Sequence, residues 1–345
     1  MIARDLLEWY DREKRQFAFR GTHDAYRVWV SEIMLQQTRT ETAEGYYKRF
    51  IARFPDVYAL ANADEESVLK EWEGLGYYSR ARNMKKAAEM VCAEHGGVFP
   101  DTLKEMTALP GVGSYTASAV LSIAYGLPHP AMDGNLTRVF SRLYHITDCV
   151  DERETADKLM CIAKDEMPDV RCGDFNQALM DLGATICVPG TPECERCPVC
   201  RHCLSYQHGD AEELPRKAKT APPAVVNINV VLVFRGNTVM MVKREKSLLK
   251  NMWTYCLSEN TDPDQCAEAL GLRKGTLHYV DSTRHVFTHR IWEMRIYEAE
   301  ADEHYVPPRG YMFVTQGEME ALPMPAAMRT AKRIAVKELT GYQKE

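Results

Sequence analysis

The first 205 residues have the hydrophobic spacing of helices. Apolar residues recur every three or four positions, which places them on one face of an α-helix. Glycine- and proline-bearing turns separate these segments, and no repeat of fixed length is present, which argues against a solenoid. The predicted helices are Tyr26–Leu35, Ala81–Cys92, Ser114–Tyr125, Leu136–Tyr144, Thr155–Met167 and Phe175–Ile186.

The pattern changes after residue 205. Residues 206–224 are polar, contain prolines and lack periodicity, so we interpret them as a linker. Two β-rich runs, Val225–Phe234 and Val239–Arg244, flank a short turn and predict a hairpin. Further predicted elements are the strands Leu277–Val280, His285–Thr288 and Ile291–Ala299 and the helices Pro263–Leu270 and Ala326–Glu338. Residues 225–345 are therefore expected to form a small α+β domain.

Composition places the chain among soluble globular proteins. It has 345 residues, 45% of them apolar and 27% charged, which suggests about two domains. The start of the chain is charged rather than signal-like, and the longest apolar run is too short to span a bilayer, so we expect a cytoplasmic protein with no membrane partner. A net charge of −6 excludes a histone-like polycation. The best local candidate for a phosphate contact is the basic cluster Arg80, Arg82, Lys85 and Lys86.

A glycine-containing turn, Leu109–Ala117 (LPGVGSYTA), joins two predicted helices. Gly111 and Gly113 allow a tight turn and a close approach to another surface. The N–H groups that begin the next helix have no intrahelical partner and can bind a phosphate oxygen. A lone Gly-x-Gly would suit an ordinary corner between helices, but the complete motif resembles the helix–hairpin–helix element of DNA base-excision glycosylases.

The cysteines point to a metal centre. The chain has eleven, an odd number, which argues against a disulfide framework. Cys187, Cys194, Cys197 and Cys203 lie at short spacings among prolines and can close around one centre. Zinc also accepts four thiolates, so the count alone leaves the metal open. The spacing resembles the loop that holds one 4Fe–4S cluster in endonuclease III-type glycosylases. Cys200 has no counterpart in that pattern and is interpreted as a spare thiol.

Two carboxylates are candidates for chemistry. Glu32 lies among apolar residues, where desolvation raises a carboxyl pKa and favours the neutral acid. Asp133 directly precedes a predicted helix. The ordinary alternatives are an exposed helical glutamate and a helix N-cap aspartate. Hydrolysis of a glycosidic bond requires one acid and one stabilising carboxylate, and Glu32 and Asp133 together could supply both.

The order of motifs resembles that of MutY-type adenine DNA glycosylases. The matching segments are SEIMLQQT (31–38), GLGYYSRARN (74–83), LPGVGSYTA (109–117), MDGN (132–135), FNQALMDLGA (175–184) and the cysteine loop. The resemblance implies a mostly α catalytic half, residues 1–205, with the helix–hairpin–helix glycosylase fold. Within it we expect a six-helix subdomain at about 24–126, and an iron–sulfur subdomain formed by 1–23 and 127–205.

The resemblance also implies roles for individual residues. Glu32 would protonate adenine, and Asp133 would stabilise the cationic sugar, with Tyr115 and Asn135 positioning the groups. Tyr115 stands where bifunctional relatives carry a Schiff-base lysine, which implies a hydrolase without lyase activity. The DNA contacts expected in this half are Gln37, Thr38, Tyr77, Gly111 and Gly113.

The second half resembles the Nudix-fold recognition domain of the same family. It lacks the glutamate-rich magnesium helix of Nudix hydrolases, so recognition rather than hydrolysis is expected. Phe287, Thr288 and His289 resemble the family's Phe-Ser-His loop that reads the oxidised guanine, with threonine in place of serine. The implied substrate is duplex DNA containing adenine opposite 8-oxoguanine or guanine, bound by a monomer. A second departure is Phe17–Arg20 (FAFR) where the family has Leu-Pro-Trp-Arg.

Three other functions were weighed. An endonuclease III-like enzyme for oxidised pyrimidines is disfavoured by Tyr115 and by the second domain. A non-catalytic iron–sulfur sensor of DNA damage is disfavoured because both Glu32 and Asp133 are retained. A Nudix pyrophosphatase with a helical appendage is disfavoured by the missing acidic helix.

Overall fold

A computed structural model describes residues 2–218, 221–245 and 248–342. Residues 219 and 220 of the predicted linker lie outside the described residues, as do residues 1, 246–247 and 343–345. The chain forms two compact units, one of residues 1–63 and 82–219 and the other of residues 64–81 and 220–345. The described part of the chain contains no helix whose length and apolarity would let it cross a membrane.

The first unit is helical, as the spacing of apolar residues predicts. The helices up to residue 208 are α1 (Ala3–Glu13), α2 (Ala25–Leu35), α3 (Thr40–Arg53), α4 (Val57–Asn62), α5 (Glu65–Glu71), α6 (Ser79–His95), α7 (Leu103–Ala108), α8 (Ser114–Tyr125), α9 (Gly134–Leu143), α10 (Arg153–Glu166), α11 (Cys172–Thr185) and α12 (Leu204–His208). Every predicted helix of this half is present, with ends displaced by three residues or fewer. Helix α5 belongs to the second unit.

Helix α8 is the centre of the first unit. Residues 116–123 are all buried, because α8 packs against both α2 and α11. Trp29 and Met34 of α2 are fully buried in the same core. Removing side chains of this size from water is the main stabilising contribution to such a core. This packing, together with that of α11 on α9, positions the part of α2 that carries Glu32 and the starts of α8 and α9, where the other candidate residues lie.

The second unit is built on a mixed seven-stranded sheet. Its strands are β1 (Ala224–Arg235), β2 (Thr238–Lys243), β3 (Trp253–Thr254), β4 (Cys256–Glu259), β5 (His278–Val286), β6 (Arg290–Glu300) and β7 (Tyr311–Thr315). Their order is β3-β2-β1-β6-β5, with β4 also paired to β1 and β7 to β2. The predicted β1–β2 hairpin is confirmed, whereas the parallel pairing of β1 with β6 has no local sequence signal.

Besides α5, the described residues of this unit form the helices α13 (Pro263–Ala269), α14 (Gln316–Ala321) and α15 (Arg329–Tyr342). The predicted helix at 326 begins instead as a 3₁₀ turn and becomes α-helical at Arg329. The separate strands predicted at 277–280 and 285–288 were wrong, because they form the single strand β5. Thr288 consequently lies outside the strand, at the tip of the β5–β6 hairpin, where the Phe287 N–H donates to the Arg290 carbonyl at 2.8 Å.

Part of the predicted linker is folded. Helix α12 ends within it, and a 3₁₀ turn follows at Ala211–Glu213. Leu214 is buried, and its carbonyl accepts a 2.9 Å hydrogen bond from Arg142. The buried guanidinium of Arg142 thus ties Leu214 to the first unit, a contact that the polar composition of the segment does not reveal.

Residues 64–81 are part of the second unit although the resemblance assigns them to the catalytic half. Glu66 of α5 accepts hydrogen bonds from Lys243 Nζ at 2.7 Å and Trp253 Nε1 at 3.0 Å. Lys70 Nζ donates to the carbonyl of Leu322 at 3.2 Å. Because these partners are more than 170 residues away in the chain, hydrophobic spacing could not predict the arrangement.

Candidate active site

Glu32 is a buried carboxylate that accepts a hydrogen bond from Tyr115. Its side chain points from α2 into the first unit, and the residue is only 6% exposed. The Tyr115 hydroxyl, from the first turn of α8, donates to Oε2 at 2.6 Å. Burial raises the pKa of Glu32, while the Tyr115 hydrogen bond and the charge of Arg20 act in the opposite direction. Desolvation therefore favours the protonated acid.

Asp133 is the N-cap of α9 and is better supplied with donors. Oδ1 accepts from the Leu136 N–H at 2.7 Å, and Oδ2 accepts from Asn135 Nδ2 at 2.8 Å. Burial is the largest influence and leaves the pKa of Asp133 raised, although both hydrogen bonds and the charge of Arg138 act to lower it. The N-cap interpretation is thus correct, and it supplies the donors that favour the ionised form.

Glu32, Tyr115 and Asp133 form one electrostatic group. Burial raises the pKa of Tyr115 well above its usual value, and the charges of both carboxylates add to the effect. The charge of Asp133 also raises the pKa of Glu32. Two nearby carboxylates disfavour double ionisation, and the one with fewer donors keeps the proton. Asp133 accepts more of these hydrogen bonds than Glu32 does, so the arrangement favours the proton on Glu32.

Arg138 connects Asn135 to the cysteine loop, and sequence reasoning missed it. Its Nη2 donates to Asn135 Oδ1 at 2.9 Å and to the Gly183 carbonyl at 2.7 Å, and its Nε donates to the Cys187 carbonyl at 2.7 Å. A Cβ on Gly183 would lie 2.7 Å from the Asn135 Cβ, so glycine permits this close packing of α11 on α9. The sequence feature that could have identified Arg138 is its position on the buried face of the predicted helix, three residues after Asn135.

Arg20 is a second residue that the sequence did not single out. Its guanidinium donates to Asp181 Oδ1 at 3.1 Å and to Gln177 Oε1, which orient it. Its positive charge lowers the pKa of both Glu32 and Tyr115. Arg20 is the last residue of the segment Phe17–Arg20, where the family has Leu-Pro-Trp-Arg. Arginine is the one residue that the two sequences share in this segment.

The predicted DNA-contact residues of the first unit lie at turns. Gly111 has φ +77°, and a Cβ there would lie 2.7 Å from the Asn83 Cβ, so this position requires glycine. Gly113 is the N-cap of α8, whose first turn receives no side-chain capping bond from the described residues. Gln37 is exposed with φ +57°, and the Thr38 hydroxyl lies 3.4 Å from the Gln36 carbonyl. The α8 terminus thus has the open N–H groups that a phosphate requires.

Tyr77 and Thr288 meet within the second unit. Their hydroxyl groups are in direct hydrogen-bond contact, and both residues are exposed. The guanidinium of Arg80 lies 5.5 Å from the Tyr77 ring centroid and donates to the Gly76 carbonyl at 3.3 Å. Arg80 was expected to contact phosphate as part of the basic cluster, but these contacts direct it into its own turn, where it supports Tyr77.

Aromatic packing holds the loop that carries Thr288. The Phe287 ring centroid lies 4.6 Å from that of His285 and 4.9 Å from that of Trp292, with near-perpendicular planes in both pairs. Such edge-to-face contacts add to the stabilisation from buried area. Trp292 is fully buried, whereas Thr288 and His289 are exposed. Phe287 therefore anchors the hairpin tip, and the next two side chains remain exposed at its surface.

Arg142 supplies a buried positive charge to the cysteine loop. It is 2% exposed, donates to the carbonyls of Val188 and Gly190 at 2.8 and 3.0 Å, and places Nη1 3.4 Å from Cys187 Sγ. None of the described carboxylates forms an ion pair with it. Burial raises the pKa of the Cys197 thiol to about 12. A buried cation without a carboxylate suits an anionic centre formed from thiolates.

The donor set of this loop fits an iron–sulfur cluster. Among the described cysteines no disulfide is present. The described His, Cys, Asp and Glu side chains include no group of three or more arranged to hold a single metal ion. A 4Fe–4S cluster requires four Cys thiolates, and the loop supplies them beside the Arg142 charge.

Comparison with known proteins agrees with this organisation. Residues 30–164 match the HhH-GPD superfamily of base excision DNA repair proteins, and residues 229–333 match the NUDIX domain. The chain is similar to the adenine DNA glycosylase of Buchnera aphidicola subsp. Acyrthosiphon pisum, with 33% identity over 259 residues, 74% of this chain and 74% of the relative. It is also similar to the Homo sapiens adenine DNA glycosylase, with 31% identity over 398 residues, 95% of this chain and 73% of the relative.

Solved structures resemble the helical part of the chain. A thermostable thymine-DNA glycosylase superimposes with a TM-score of 0.55 and 29% identity, covering 60% of this chain and 95% of that one. An endonuclease III trapped in a covalent DNA intermediate gives a TM-score of 0.52 at 20% identity, with coverage of 60% and 95%. The second likeness shows the fold alone. Both agree with the predicted helix–hairpin–helix architecture, which is confirmed.

Proposed function

The chain belongs to the adenine DNA glycosylase family, and from that premise we propose that it removes adenine paired with 8-oxoguanine or guanine in duplex DNA. The reaction is hydrolysis of the N-glycosidic bond in base excision repair, by an enzyme that acts as a monomer. The observation that carries this proposal is the buried Glu32 carboxyl, hydrogen-bonded to Tyr115 and electrostatically coupled to Asp133.

The target bond is inaccessible inside a base stack. A glycosylase therefore extrudes the nucleotide, which costs less when the base is mispaired. Gln37 and Tyr77 are the side chains we propose to fill or wedge the gap, since both are exposed and both sit at turns with positive φ. Gly111 and Gly113 at the start of α8 would receive a phosphate and fix the strand beside the extruded nucleotide.

Glu32 acts as the general acid in this proposal. Because Oε2 accepts the Tyr115 hydroxyl, the carboxyl proton resides on Oε1 and is available to N7 of adenine. Proton transfer makes adenine a better leaving group as the bond from the sugar to the base breaks. A positioned acid of this kind typically contributes about 10²–10⁴-fold to the rate.

Asp133 acts on the sugar. Loss of adenine leaves an oxocarbenium ion, which the ionised Asp133 stabilises by its charge or traps briefly. The hydrogen bonds from Leu136 and Asn135 favour the ionised form of this carboxylate and orient it. Water then adds to the sugar carbon, and its released proton restores the acid. Tyr115 cannot form the imine that a lysine would, so the product is an intact abasic strand.

Recognition of the opposite base is assigned to the second unit. The contact between Tyr77 and Thr288 places two hydroxyl groups at an exposed site, and hydroxyls can donate to or accept from the polar edge of 8-oxoguanine. His289 is exposed beside them. Threonine in place of serine retains the hydroxyl that this function requires.

We propose one 4Fe–4S cluster held by Cys187, Cys194, Cys197 and Cys203. A cluster held by these four thiolates would tie together the proline-containing loop and offset the buried charge of Arg142. Iron, sulfide and zinc analysis of the isolated protein, with its visible absorption, tests this assignment. Zinc without iron would contradict it.

The decisive experiment uses duplexes that contain A opposite 8-oxoguanine, A opposite G, or an oxidised pyrimidine. We expect strand cleavage at the adenine only after alkali, and none for Glu32→Gln although it still binds DNA. Cleavage without alkali, or at the pyrimidine, would favour an endonuclease III-like enzyme. Binding without cleavage by the wild-type protein would favour a sensor. Glu41→Gln, an exposed change of the same chemistry on α3, is the matched control.

A further inference from the structure

Two adjacent glutamines follow helix α2, and their side chains lie in different environments. Gln37 is exposed and has φ +57°, whereas Gln36 is half-buried. The side-chain amide of Gln36 donates from Nε2 to Oγ1 of Thr116 at 3.1 Å. Thr116 lies in the first turn of α8 and is 1% exposed. One glutamine therefore binds the core of the first unit, and the other lies at its surface.

The bond from Gln36 is the second side-chain hydrogen bond between the same two segments. Glu32 and Gln36 are four positions apart, which places them on one side of α2. Their partners, Tyr115 and Thr116, are adjacent in the first turn of α8. The bond to Glu32 concerns the proposed acid, and the bond from Gln36 lies one helical turn closer to Gln37.

The turn that carries Gln37 has a conformation that its surroundings must maintain. A non-glycine residue with positive φ persists where the neighbouring structure holds it. Within the turn, the Thr38 N–H donates to the Leu35 carbonyl at 3.2 Å. That bond is local, whereas the side chain of Gln36 reaches a residue 80 positions away. The Gln36–Thr116 bond thus fixes the position of the turn relative to α8.

We propose that Gln36 is a positioning residue for extrusion of the adenosine, and that it acts by holding the Gln37 turn in register with the first turn of α8. The two features that it joins are the side chain proposed to fill the gap in the base stack and the helix terminus proposed to receive a phosphate. Both must contact the same DNA strand region at once, so a shift between them weakens extrusion. The inference rests on the proposed function and deepens it.

Extrusion can be measured separately from bond cleavage. The probe is a duplex with 2-aminopurine at the target position, because the fluorescence of this base rises when it leaves the stack. It is measured at saturating protein in the Glu32→Gln background, in which the bond is not hydrolysed. Adding Gln36→Met, which keeps the side-chain length but removes the donor, should lower the extrusion equilibrium constant by about two- to tenfold, the effect of losing one hydrogen bond.

The partner residue provides an independent variant and a rescue. Thr116→Val removes the acceptor and nearly preserves the shape, so it should match Gln36→Met, and the two changes together should cost no more than either alone. Thr116→Ser retains the hydroxyl oxygen and should restore extrusion. A Thr116→Ser variant as defective as Thr116→Val would overturn the inference. Gln207→Met, at an exposed glutamine of α12, is the matched control and should leave extrusion unchanged.

The pH profile distinguishes this role from an effect on the acid. With Glu32 present, Gln36→Met should lower the single-turnover rate at every pH and leave the alkaline limb where the wild type has it. A shifted limb would mean that Gln36 acts through the Glu32 carboxyl, and wild-type extrusion in Gln36→Met would remove its positioning role. Both results leave the proposed function intact, whereas a wild-type protein that neither extrudes the probe nor releases adenine removes the proposed function itself.

Discussion

The hydroxyl of Tyr115 donates a 2.6 Å hydrogen bond to Oε2 of Glu32. The bond joins the first turn of α8 to the middle of α2, two helices that pack against each other in the core of the first unit. It stabilises the charged form of a carboxyl group that burial otherwise keeps neutral. The Tyr115 hydrogen bond thus opposes the effect of burial on the pKa of Glu32, and a substitution at Tyr115 can remove it.

Replacing Tyr115 with phenylalanine should move the pH dependence of adenine release. The hydrogen bond lowers the pKa of Glu32, so its loss raises that pKa further and keeps the acid protonated to higher pH. The alkaline limb of the single-turnover rate against pH should therefore shift upward.

A downward shift, or none, would mean that the hydroxyl does not tune Glu32. Tyr125→Phe is the matched control, because Tyr125 is the last residue of the same helix. Its hydroxyl donates to the Phe99 carbonyl at 2.7 Å and not to Glu32 or Asp133. Its pH profile should overlay that of the wild type.

Replacing Glu32 with glutamine should stabilise the fold in a pH-dependent way. The folded protein holds the Glu32 proton more tightly than the unfolded chain, whose carboxyl has its usual pKa near 4.5. Wild-type stability therefore falls as pH rises from that value through the folded pKa, whereas glutamine does not titrate. Denaturant unfolding at a series of pH values should show an advantage of the variant that is small at acidic pH and grows toward neutrality. A constant difference across the series would contradict the raised pKa.

Arg138→Gln should damage both the active site and the cysteine loop. The change leaves the carbonyls of Gly183 and Cys187 and the Asn135 side chain without a buried donor, and a broken buried network of this kind costs about 2–4 kcal/mol. The free energy of unfolding and the iron content should both fall, together with the single-turnover rate. Arg153→Gln is the control, since its side chain is 96% exposed and its change should cost less than about 0.5 kcal/mol. Loss of activity with normal iron content and stability would refute the structural link.

The hydroxyl of Thr288 should contribute to the preference for 8-oxoguanine. Thr288→Val keeps the shape but removes the contact with Tyr77, whereas Thr288→Ser keeps the hydroxyl. The ratio of the single-turnover rate on A opposite 8-oxoguanine to the rate on A opposite guanine should fall for Thr288→Val. For Thr288→Ser this ratio should remain that of the wild type. Because the two hydroxyls are in contact, Tyr77→Phe and Thr288→Val should be non-additive. Equal losses on both substrates would argue against a reading role.

Local spacing determined the helices and the chemistry carried by short motifs. The spacing of apolar residues by three and four positions predicted α8 over Ser114–Tyr125 with both ends correct. This is possible because the residues that form one face of a helix lie only a few positions apart in the sequence. The cysteine loop and the apolar surroundings of Glu32 are equally local, so the candidate ligands and the expected neutral acid could be identified without coordinates.

Tertiary structure alone decided which of these residues meet. The bond from Arg138 to the Cys187 carbonyl joins positions 49 residues apart, and the contact between Tyr77 and Thr288 joins positions 211 apart. The parallel β1–β6 pair and the place of α5 in the second unit are likewise long-range. The periodicity of apolar residues indicates which face of a helix or strand is buried, but not which other element covers that face. The pairing of elements depends on side-chain packing and on hydrogen bonds to buried polar groups, and both involve residues far apart in the chain.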